Sequence, residues 1–227
     1  MVAMQINQDA SAEARFNMVE CQLKPAGVRD YRLTKHIGKM PREAFIASTS
    51  YDLAYADLEL ECTAGDTSRK ILTPTAFARL AELADIQAED VVLDIAGGTG
   101  YSAAILAQTA STVIALEDDE AMVEKAGSIW QELGVDNAVA VCGALPEGQP
   151  KQGPFNVIFI NGCLAALPSD LLDQLADGGR LVCMQMVDGT SKAHIYKRIG
   201  DSIASRAAFD MAAPILTSFN PAPAFEF

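Results

Sequence analysis

The stretch that most constrains the fold runs from Val91 to Ala104 and joins an apolar run, a glycine-rich turn and a helix start. Val91–Ile95 is mainly apolar and short enough for a buried strand. Gly97, Gly98 and Gly100 follow within four positions, and an alanine-rich segment comes directly after. Glycine lets a backbone approach a ligand closely, and the first N–H groups of a helix are free to donate hydrogen bonds. The stretch therefore predicts a nucleotide-cofactor site in an α/β sheet.

A second predicted strand, Thr112–Leu116, runs directly into Glu117. Glu117 follows Asp94 by 23 positions, a spacing at which doubly wound folds present an acid to ribose hydroxyls. We expect Glu117 to hold the ribose of the cofactor. An alternative is a solvated acid at a strand end, because Asp118 and Asp119 come next.

The glycine loop by itself admits two cofactors. Gly98–Ala103 fits the dinucleotide pattern G-x-G-x-x-A, whereas Asp94-x-Ala96-x-Gly98-x-Gly100 approaches the acid-x-G-x-G-x-G loop of S-adenosylmethionine-dependent enzymes. A dinucleotide loop usually opens its domain, but about ninety mostly helical residues come before this one. We therefore favour S-adenosylmethionine, and a nicotinamide cofactor or a loop without a ligand stay as alternatives.

Composition limits the remaining possibilities. The chain has 227 residues, is 50% hydrophobic and carries a net charge of −13, so we expect one core and no nucleic-acid partner. Cys142, Cys163 and Cys183 lie in apolar strand-like runs and are expected to be buried thiols in a reducing cytoplasm. We expect no metal site, because the two histidines lie far apart, and no membrane span, because no apolar run is long enough.

After residue 85 the pattern alternates between strands and helices, which predicts a mostly parallel sheet with helices on both faces. The last strands lack a crossover helix between them, so an antiparallel C-terminal edge is expected. The predicted strands are Val91–Ile95, Thr112–Leu116, Ala138–Cys142, Val157–Ile160, Arg180–Met186, Ile195–Ile199 and Arg206–Phe209. The predicted helices are Tyr101–Gln108, Glu120–Leu133 and Ser169–Leu175.

Residues 1–85 are expected to form a helical extension and a substrate-side loop, joined in one compact unit to a cofactor-binding domain over 86–227. Asp30 is expected to cap a helix that ends at Ile37, and Thr73 to cap another with Pro74 at its first position. The stretch from Ala47 to Arg69 has little periodicity and is predicted to be a loop, with a short strand at Leu58–Leu60.

Several ordered motifs resemble the protein-L-isoaspartate O-methyltransferase family. Met40–Phe45 is similar to its "VPRExF" signature, Ala54–Asp57 to its "AYxD", and Ile71–Pro74 occupies the place of its "ISQP". The loop Leu93–Ala104 is similar to its "LEIGTGSGYQAA", and Ala176–Val182 to the strand that carries "GGRLV". The resemblance spans roughly Met18 to Met184 and implies a Rossmann-like methyltransferase fold. It also implies S-adenosylmethionine as cofactor and, as partner, a protein or peptide whose isomerised aspartyl carboxylate is methylated.

Three positions depart from the family pattern. Leu72 stands where the family has the serine of "ISQP", implicated in catalysis, with Thr73 beside it. Ala144 replaces an acid expected beside the adenine, and Ala96 replaces the first glycine of the loop, a change expected to be mild. We therefore expect the cofactor to bind and the isoaspartyl activity to be absent or weak compared with close family members. Another acceptor, or a binding module without transfer, stays as an alternative.

The full set of candidate site residues follows from the loop and the resemblance. Tyr101 could cover the donor or pack on the sheet, and Asn161, placed at the end of the fourth strand, opens on the crevice or forms a turn. The expected cofactor-binding residues are Asp94, Ala96, Gly97, Gly98, Gly100, Tyr101, Glu117, Asp118, Ala144, Leu145 and Asn161. Leu72 and Thr73 are the catalytic positions to test.

Overall fold

The computed structural model describes residues 2–47 and 51–220, with the side-chain environments of 10–47 and 53–220. Seven strands form the main sheet in the order β5-β4-β3-β6-β7-β8-β9. Its strands are β3 (Val91–Ile95), β4 (Thr112–Glu117), β5 (Ala138–Cys142), β6 (Phe155–Leu164), β7 (Leu175–Val187), β8 (Thr190–Ile199) and β9 (Ser202–Asp210). The strands from β5 to β7 pair in parallel, and β8 and β9 add an antiparallel edge. The predicted sheet is confirmed.

The chain leaves β3 for β4 and β5 on one side and returns through β6 on the other. The carboxyl ends of β3 and β6 therefore meet at the point where the strand order reverses. Open α/β sheets bind ligands in the crevice at such a point.

Helices and 3-10 turns cover both faces of the sheet. Along β3, Val92 contributes to one apolar cluster and Leu93 and Ile95 to the other, as the two-residue period of a strand requires. The helices are α1 (Val2–Met18), α2 (Tyr31–Ile37), α3 (Tyr51–Ala54), α4 (Pro74–Ala84), α5 (Tyr101–Leu106), α6 (Glu120–Leu133) and α7 (Ser169–Asp173).

Two predicted helix caps are formed. Asp30 accepts backbone N–H bonds from Arg32 and Leu33 at the start of α2, and the Thr73 hydroxyl accepts one from Ala76 at the start of α4. Such caps satisfy N–H groups that have no partner inside the helix.

The N-terminal extension shares its core with the sheet. Met18, Leu23 and Phe45 are buried in the same cluster as Tyr101 and Phe159. A turn of π-helix at Val19–Leu23 continues α1, and a 3-10 turn covers Arg42–Phe45. Among the described residues, no helix is both long enough and apolar enough to cross a membrane.

The predicted loop between Ala47 and Arg69 is wrong in two places: the short helix α3 (Tyr51–Ala54) lies in its first half, and a hairpin occupies its second half. Strands β1 (Leu60–Ala64) and β2 (Thr67–Ile71) form an antiparallel hairpin, and the predicted strand at Leu58–Leu60 overlaps it by one residue. Charged residues interrupt the apolar pattern here, and only Cys62, Ala64 and Ile71 are buried. Contact with α6 through Met122 supplies the apolar surface that the hairpin lacks. Residues 48–50 lie outside the described part of the chain.

Three smaller expectations are corrected. Cys142 is exposed, because it ends the edge strand β5, whereas Cys62, Cys163 and Cys183 are buried. Asn161 does not end its strand, because β6 continues to Leu164 through pairing with β7. The C-terminal stretch from Pro214 is not simply extended: Ile215 bridges to Cys163 and a 3-10 turn follows at Thr217–Phe219. Residues 221–227 of the predicted tail lie outside the described residues.

Candidate active site

The glycine loop bends sharply between β3 and α5. Gly98 and Gly100 have φ angles of 66° and 90°, in the left-handed region that glycine enters without steric cost. Gly97 has no such angle but is closely enclosed: a Cβ there would lie 2.5 Å from Ser102 Oγ and 2.7 Å from Asp94 Oδ2. Gly98 and Gly100 are therefore required by their backbone angles, and Gly97 by the lack of space for a side chain.

Ala96 shares the left-handed backbone of its neighbours. Its φ is 62° and its side chain is fully buried. The expectation of a mild change assumed an ordinary backbone at this position, and that assumption is wrong. A left-handed non-glycine residue costs about 1–2 kcal/mol.

Asp94 organises the loop from beneath. Its Oδ2 accepts a hydrogen bond from Ser102 Oγ at 2.6 Å, and its Oδ1 accepts one from Asn161 Nδ2 at 2.7 Å. Burial raises the pKa of Asp94 to about 6, against the lowering effect of these two donors. Asn161 also donates to the Ile95 carbonyl, so it ties β6 to the end of β3. The structure brings both predicted residues together next to Gly97.

Glu117 ends β4 as a buried carboxylate that is only partly satisfied. Its side chain is 3% exposed, and its Oε1 accepts a hydrogen bond from the Gly98 N–H. Its Oε2 lies 3.0 Å from Arg69 Nε but outside hydrogen-bond geometry, so both atoms lack a hydrogen-bond partner among the described residues. Burial raises the pKa of Glu117 to about 7, although Arg69 opposes this shift. An unsatisfied buried acceptor of this kind fits a hydroxyl-bearing ligand.

Arg69 is the site residue that sequence reasoning missed. It lies on β2, and its Nη2 is 2.5 Å from Asp118 Oδ1. A second contact, from Thr67 Oγ1 to Asp119 Oδ2 at 2.6 Å, also ties the hairpin to the end of β4. The sequence did contain a signal for it: Arg69 and Lys70 are two adjacent cationic residues at the end of the segment predicted to be a loop.

Side chains of the protein itself cover the glycine loop. Cys62, on the hairpin, packs against Gly98 so closely that a Cβ on the glycine would overlap its Sγ. Trp130, on α6, donates from Nε1 to the Gly100 carbonyl at 3.0 Å. The loop is therefore held between the hairpin and α6.

Leu72 and Gly97 line the same small void. Leu72 is 3% exposed and borders this void of about 10 Å³ together with Phe77, Tyr101 and Asn161. That volume is at the lower limit for a single water molecule. Thr73 is occupied as the cap of α4, which supports the capping role considered from sequence.

Three other candidate residues, Tyr101, Ala144 and Leu145, lie in the core or at a surface turn. Tyr101 packs in the core, with its ring 5.5 Å from that of Phe45 and beneath the Arg42 guanidinium. Ala144 is exposed at the start of a 3-10 turn, and the Leu145 side chain is fully buried under that turn.

A groove of about 730 Å³ opens beside Arg69. The β1–β2 hairpin lines one part of it and the C-terminal segment around Leu216 another, and Asp118 also lines it. The groove is lined by Glu59, Thr67, Ser68, Arg69, Lys70, Asp118, Ala213, Pro214, Ile215, Leu216, Thr217 and Ser218.

Known proteins resemble this chain in sequence and in fold. The sequence profile of the protein-L-isoaspartate(D-aspartate) O-methyltransferase family matches residues 14–211. The chain belongs to this family. A protein-L-isoaspartate O-methyltransferase from Koribacter versatilis is 36% identical over 168 residues, which are 74% of either chain. One from Protochlamydia amoebophila is 39% identical over 165 residues, or 73% of this chain and 77% of the relative.

Solved structures of the family share the fold. One described as a protein-L-isoaspartate O-methyltransferase superposes with a TM-score of 0.79 at 25% identity, covering 89% of this chain and 65% of its own. Another, from Plasmodium falciparum in complex with S-adenosyl-L-homocysteine, has a TM-score of 0.73 at 21% identity, covering 89% and 97%. The resemblance drawn from sequence motifs, the fold class and the classification as a methyltransferase are confirmed.

Proposed function

We propose that this chain transfers a methyl group from S-adenosylmethionine to the side-chain carboxylate of isomerised aspartyl residues in proteins. The observation that carries the proposal is the family match over residues 14–211. Neither the nicotinamide oxidoreductase nor the module without transfer activity has support from the relatives or from the fold.

The residues at the carboxyl ends of β3 and β4 fit the cofactor. Glu117 has a buried oxygen without a hydrogen-bond donor among the described residues, which suits ribose hydroxyls. Gly97 and Asn161 lie together beside Leu72, where the amino-acid end of the donor would bind. The void of about 10 Å³ there is too small to hold that group, so binding would require the side chains around it to move. Asp94 positions this end of the loop through Ser102 and Asn161.

The methyl transfer requires little acid–base catalysis from the protein. The bound cofactor supplies a methyl group already activated on a sulfonium. A carboxylate acceptor with an ordinary pKa near 4 is ionised at neutral pH, so no general base is needed. The task left to the side chains is to align the two reactants and to exclude water.

The test of function uses a labelled donor and two peptides that differ only in an isoaspartyl or a normal aspartyl residue. We expect label in the isoaspartyl peptide alone. Equal labelling of both peptides, or of neither, would contradict the proposed acceptor.

The test of the cofactor site is calorimetry with S-adenosylhomocysteine, with NAD as the comparison ligand. Glu117→Ala should weaken binding at least tenfold, because paired charge-assisted hydrogen bonds contribute on the order of 1.5–3 kcal/mol. Glu124→Ala, which removes an exposed carboxylate from α6, is the matched control. Unchanged affinity in Glu117→Ala would place the ribose elsewhere.

Three expectations stay predictions: the cytoplasmic location, the protein or peptide nature of the acceptor in the cell, and the lack of a nucleic-acid partner. Cell fractionation and pull-down with isoaspartyl-containing protein test the first two. Oligomeric state is open to measurement by light scattering.

A further inference from the structure

Arg69 lies between two acids at the mouth of the proposed cofactor site. Its side chain is 15% exposed, its Nε is 3.0 Å from Glu117 Oε2, and its Nη2 is 2.5 Å from Asp118 Oδ1. Asp118 is 41% exposed, whereas Glu117 is almost completely covered. Arg69 therefore connects a buried carboxylate to one at the surface.

This arrangement restricts access to Glu117. A ligand hydroxyl must come within hydrogen-bond distance of the carboxylate, but only 3% of the Glu117 side chain is exposed. The guanidinium of Arg69 lies against this carboxylate, with its Nε 3.0 Å from Oε2. If Arg69 moves away, Glu117 loses its ion pair, and the two hydroxyls of a ribose can donate hydrogen bonds to the carboxylate instead.

The same guanidinium borders the groove in which an acceptor could lie. Two cationic residues, Arg69 and Lys70, line this groove, together with the acids Glu59 and Asp118. Lys70 is 4.0 Å from Glu59, and its side chain is 57% exposed. Arg69 is thus the better-enclosed cation beside the glycine loop, and a guanidinium matches the planar geometry of a carboxylate.

We propose that Arg69 covers Glu117 in the free protein. Once the ribose of the donor has bound to Glu117, Arg69 binds the carboxylate of the acceptor. This inference rests on the proposed function. It gives the acceptor a cationic partner, whereas Leu72, at the position of the family's serine, has no side-chain hydrogen-bond donor.

The proposal requires the two ligands to help each other. A donor that releases Arg69 from Glu117 makes it available to the acceptor, so S-adenosylhomocysteine should increase the affinity for an isoaspartyl peptide. By linkage, the peptide should increase the affinity for S-adenosylhomocysteine by the same factor. A merely structural Arg69 would produce no such coupling.

The experiment measures both affinities by calorimetry at pH 8.5, each with and without the other ligand, on wild type, Arg69→Gln and Arg69→Lys. We expect at least fivefold coupling in wild type, none in Arg69→Gln and an intermediate value in Arg69→Lys. Arg69→Gln should bind S-adenosylhomocysteine alone at least as tightly as wild type, and bind the peptide in its presence at least tenfold more weakly. Arg206→Gln, on the exposed strand β9, is the control for the loss of one positive charge.

Several results would overturn the inference: wild type without coupling, Arg69→Gln with wild-type coupling, or Arg69→Gln with weakened S-adenosylhomocysteine binding. Failure of the proposed function would give other results than these. In that case wild type would not methylate the isoaspartyl peptide at all, or would not bind S-adenosylhomocysteine. Thermal unfolding of each variant identifies any that fails to fold, and Arg69→Lys then carries the comparison.

Discussion

At the residue scale, Ala96 and Gly98 adopt nearly the same left-handed backbone but have different surroundings. Ala96 places its methyl group in the buried cluster that contains Leu93 and Ile95. The backbone strain costs about 1–2 kcal/mol. Burial of the methyl group returns about 0.8 kcal/mol, and the restricted unfolded chain returns about 0.4–1 kcal/mol. The alanine is tolerated because these contributions nearly cancel.

We therefore predict that Ala96→Gly changes the free energy of unfolding by less than about 1 kcal/mol, because relief of the backbone strain is offset by removal of the buried methyl group and by the freer unfolded chain. Denaturant unfolding of wild type and variant measures this difference. A gain of several kcal/mol would mean that the strain at Ala96 is not offset.

Glu117 should make donor binding depend on pH. Its pKa is raised to about 7, so the carboxyl is protonated below that pH and loses acceptor capacity. We expect the affinity for S-adenosylhomocysteine to rise between pH 6 and pH 8. The same raised pKa means that its contribution to stability is present below pH 4.5 and is lost as the pH rises through 7.

Calorimetry across this range should show the rise in wild type and a much flatter profile in Glu117→Gln. Glu124→Gln, with its exposed carboxylate, should keep the wild-type profile. A residual slope near pH 6 would come from Asp94, whose pKa is raised to about 6 by burial. A steep profile in Glu117→Gln with a midpoint near pH 7 would contradict the assignment.

Leu72 should limit turnover of isoaspartyl peptide. A serine there could hydrogen-bond an incoming carboxylate, and the loss of one positioning donor commonly costs on the order of 10²–10³ in rate. We predict that Leu72→Ser raises kcat/KM on the isoaspartyl peptide at least tenfold. Leu72→Ala is the control, because it opens the same space without a hydroxyl. Equal rates in both variants would show that space rather than hydrogen bonding is limiting.

At the element scale, the β1–β2 hairpin holds the glycine loop in place. Arg69 and Thr67 connect it to the acids after β4, and Cys62 packs on Gly98. From the other side, α6 holds the loop through the Trp130 hydrogen bond to Gly100. The position of the loop thus depends on two elements distant from it in sequence.

The substitution Gly98→Ala tests the contact between the hairpin and the glycine loop. The new methyl group would collide with Cys62 in a left-handed backbone, so we predict a loss of at least about 2 kcal/mol in the free energy of unfolding. The double variant Gly98→Ala with Cys62→Ala should recover part of this loss, which denaturant unfolding can measure. No recovery would mean that the backbone conformation alone accounts for the cost.

At the scale of the whole molecule, the N-terminal extension and the sheet are expected to unfold together. Side chains from both regions lie in one apolar cluster, in which Phe45 of the extension contacts the ring of Tyr101. We predict a single cooperative transition. Trp130, the only tryptophan of the chain, reports on the cofactor loop by fluorescence, while circular dichroism reports on the helices.

The two signals should have the same midpoint. S-adenosylhomocysteine at 100 times its Kd should stabilise the fold by about 2.7 kcal/mol and raise Tm by roughly 5–10 °C. Two separate transitions would show that residues 1–85 and 86–227 are independent units.

Much of this architecture could be predicted from the sequence because its signals are local. Val91–Ile95 and Ala138–Cys142 form strands at the predicted bounds, and Glu120–Leu133 forms the predicted helix. Buried strands show as continuous apolar runs, and helix ends show through the side chains that cap them. The loop glycines and the acid at the end of β4 are local signals of the same kind, and from them the sequence predicts a cofactor site.

Only the tertiary structure decided what surrounds that region. The β1–β2 hairpin has a broken apolar pattern and packs on α6, so its strands were not evident locally. The left-handed angle at Ala96 and the exposure of Cys142 follow from the bend of the loop and the position of β5 at the sheet edge. Arg69 reaches Glu117 across 48 positions of sequence. Such a contact depends on how the elements pack together, which no local pattern of residues records.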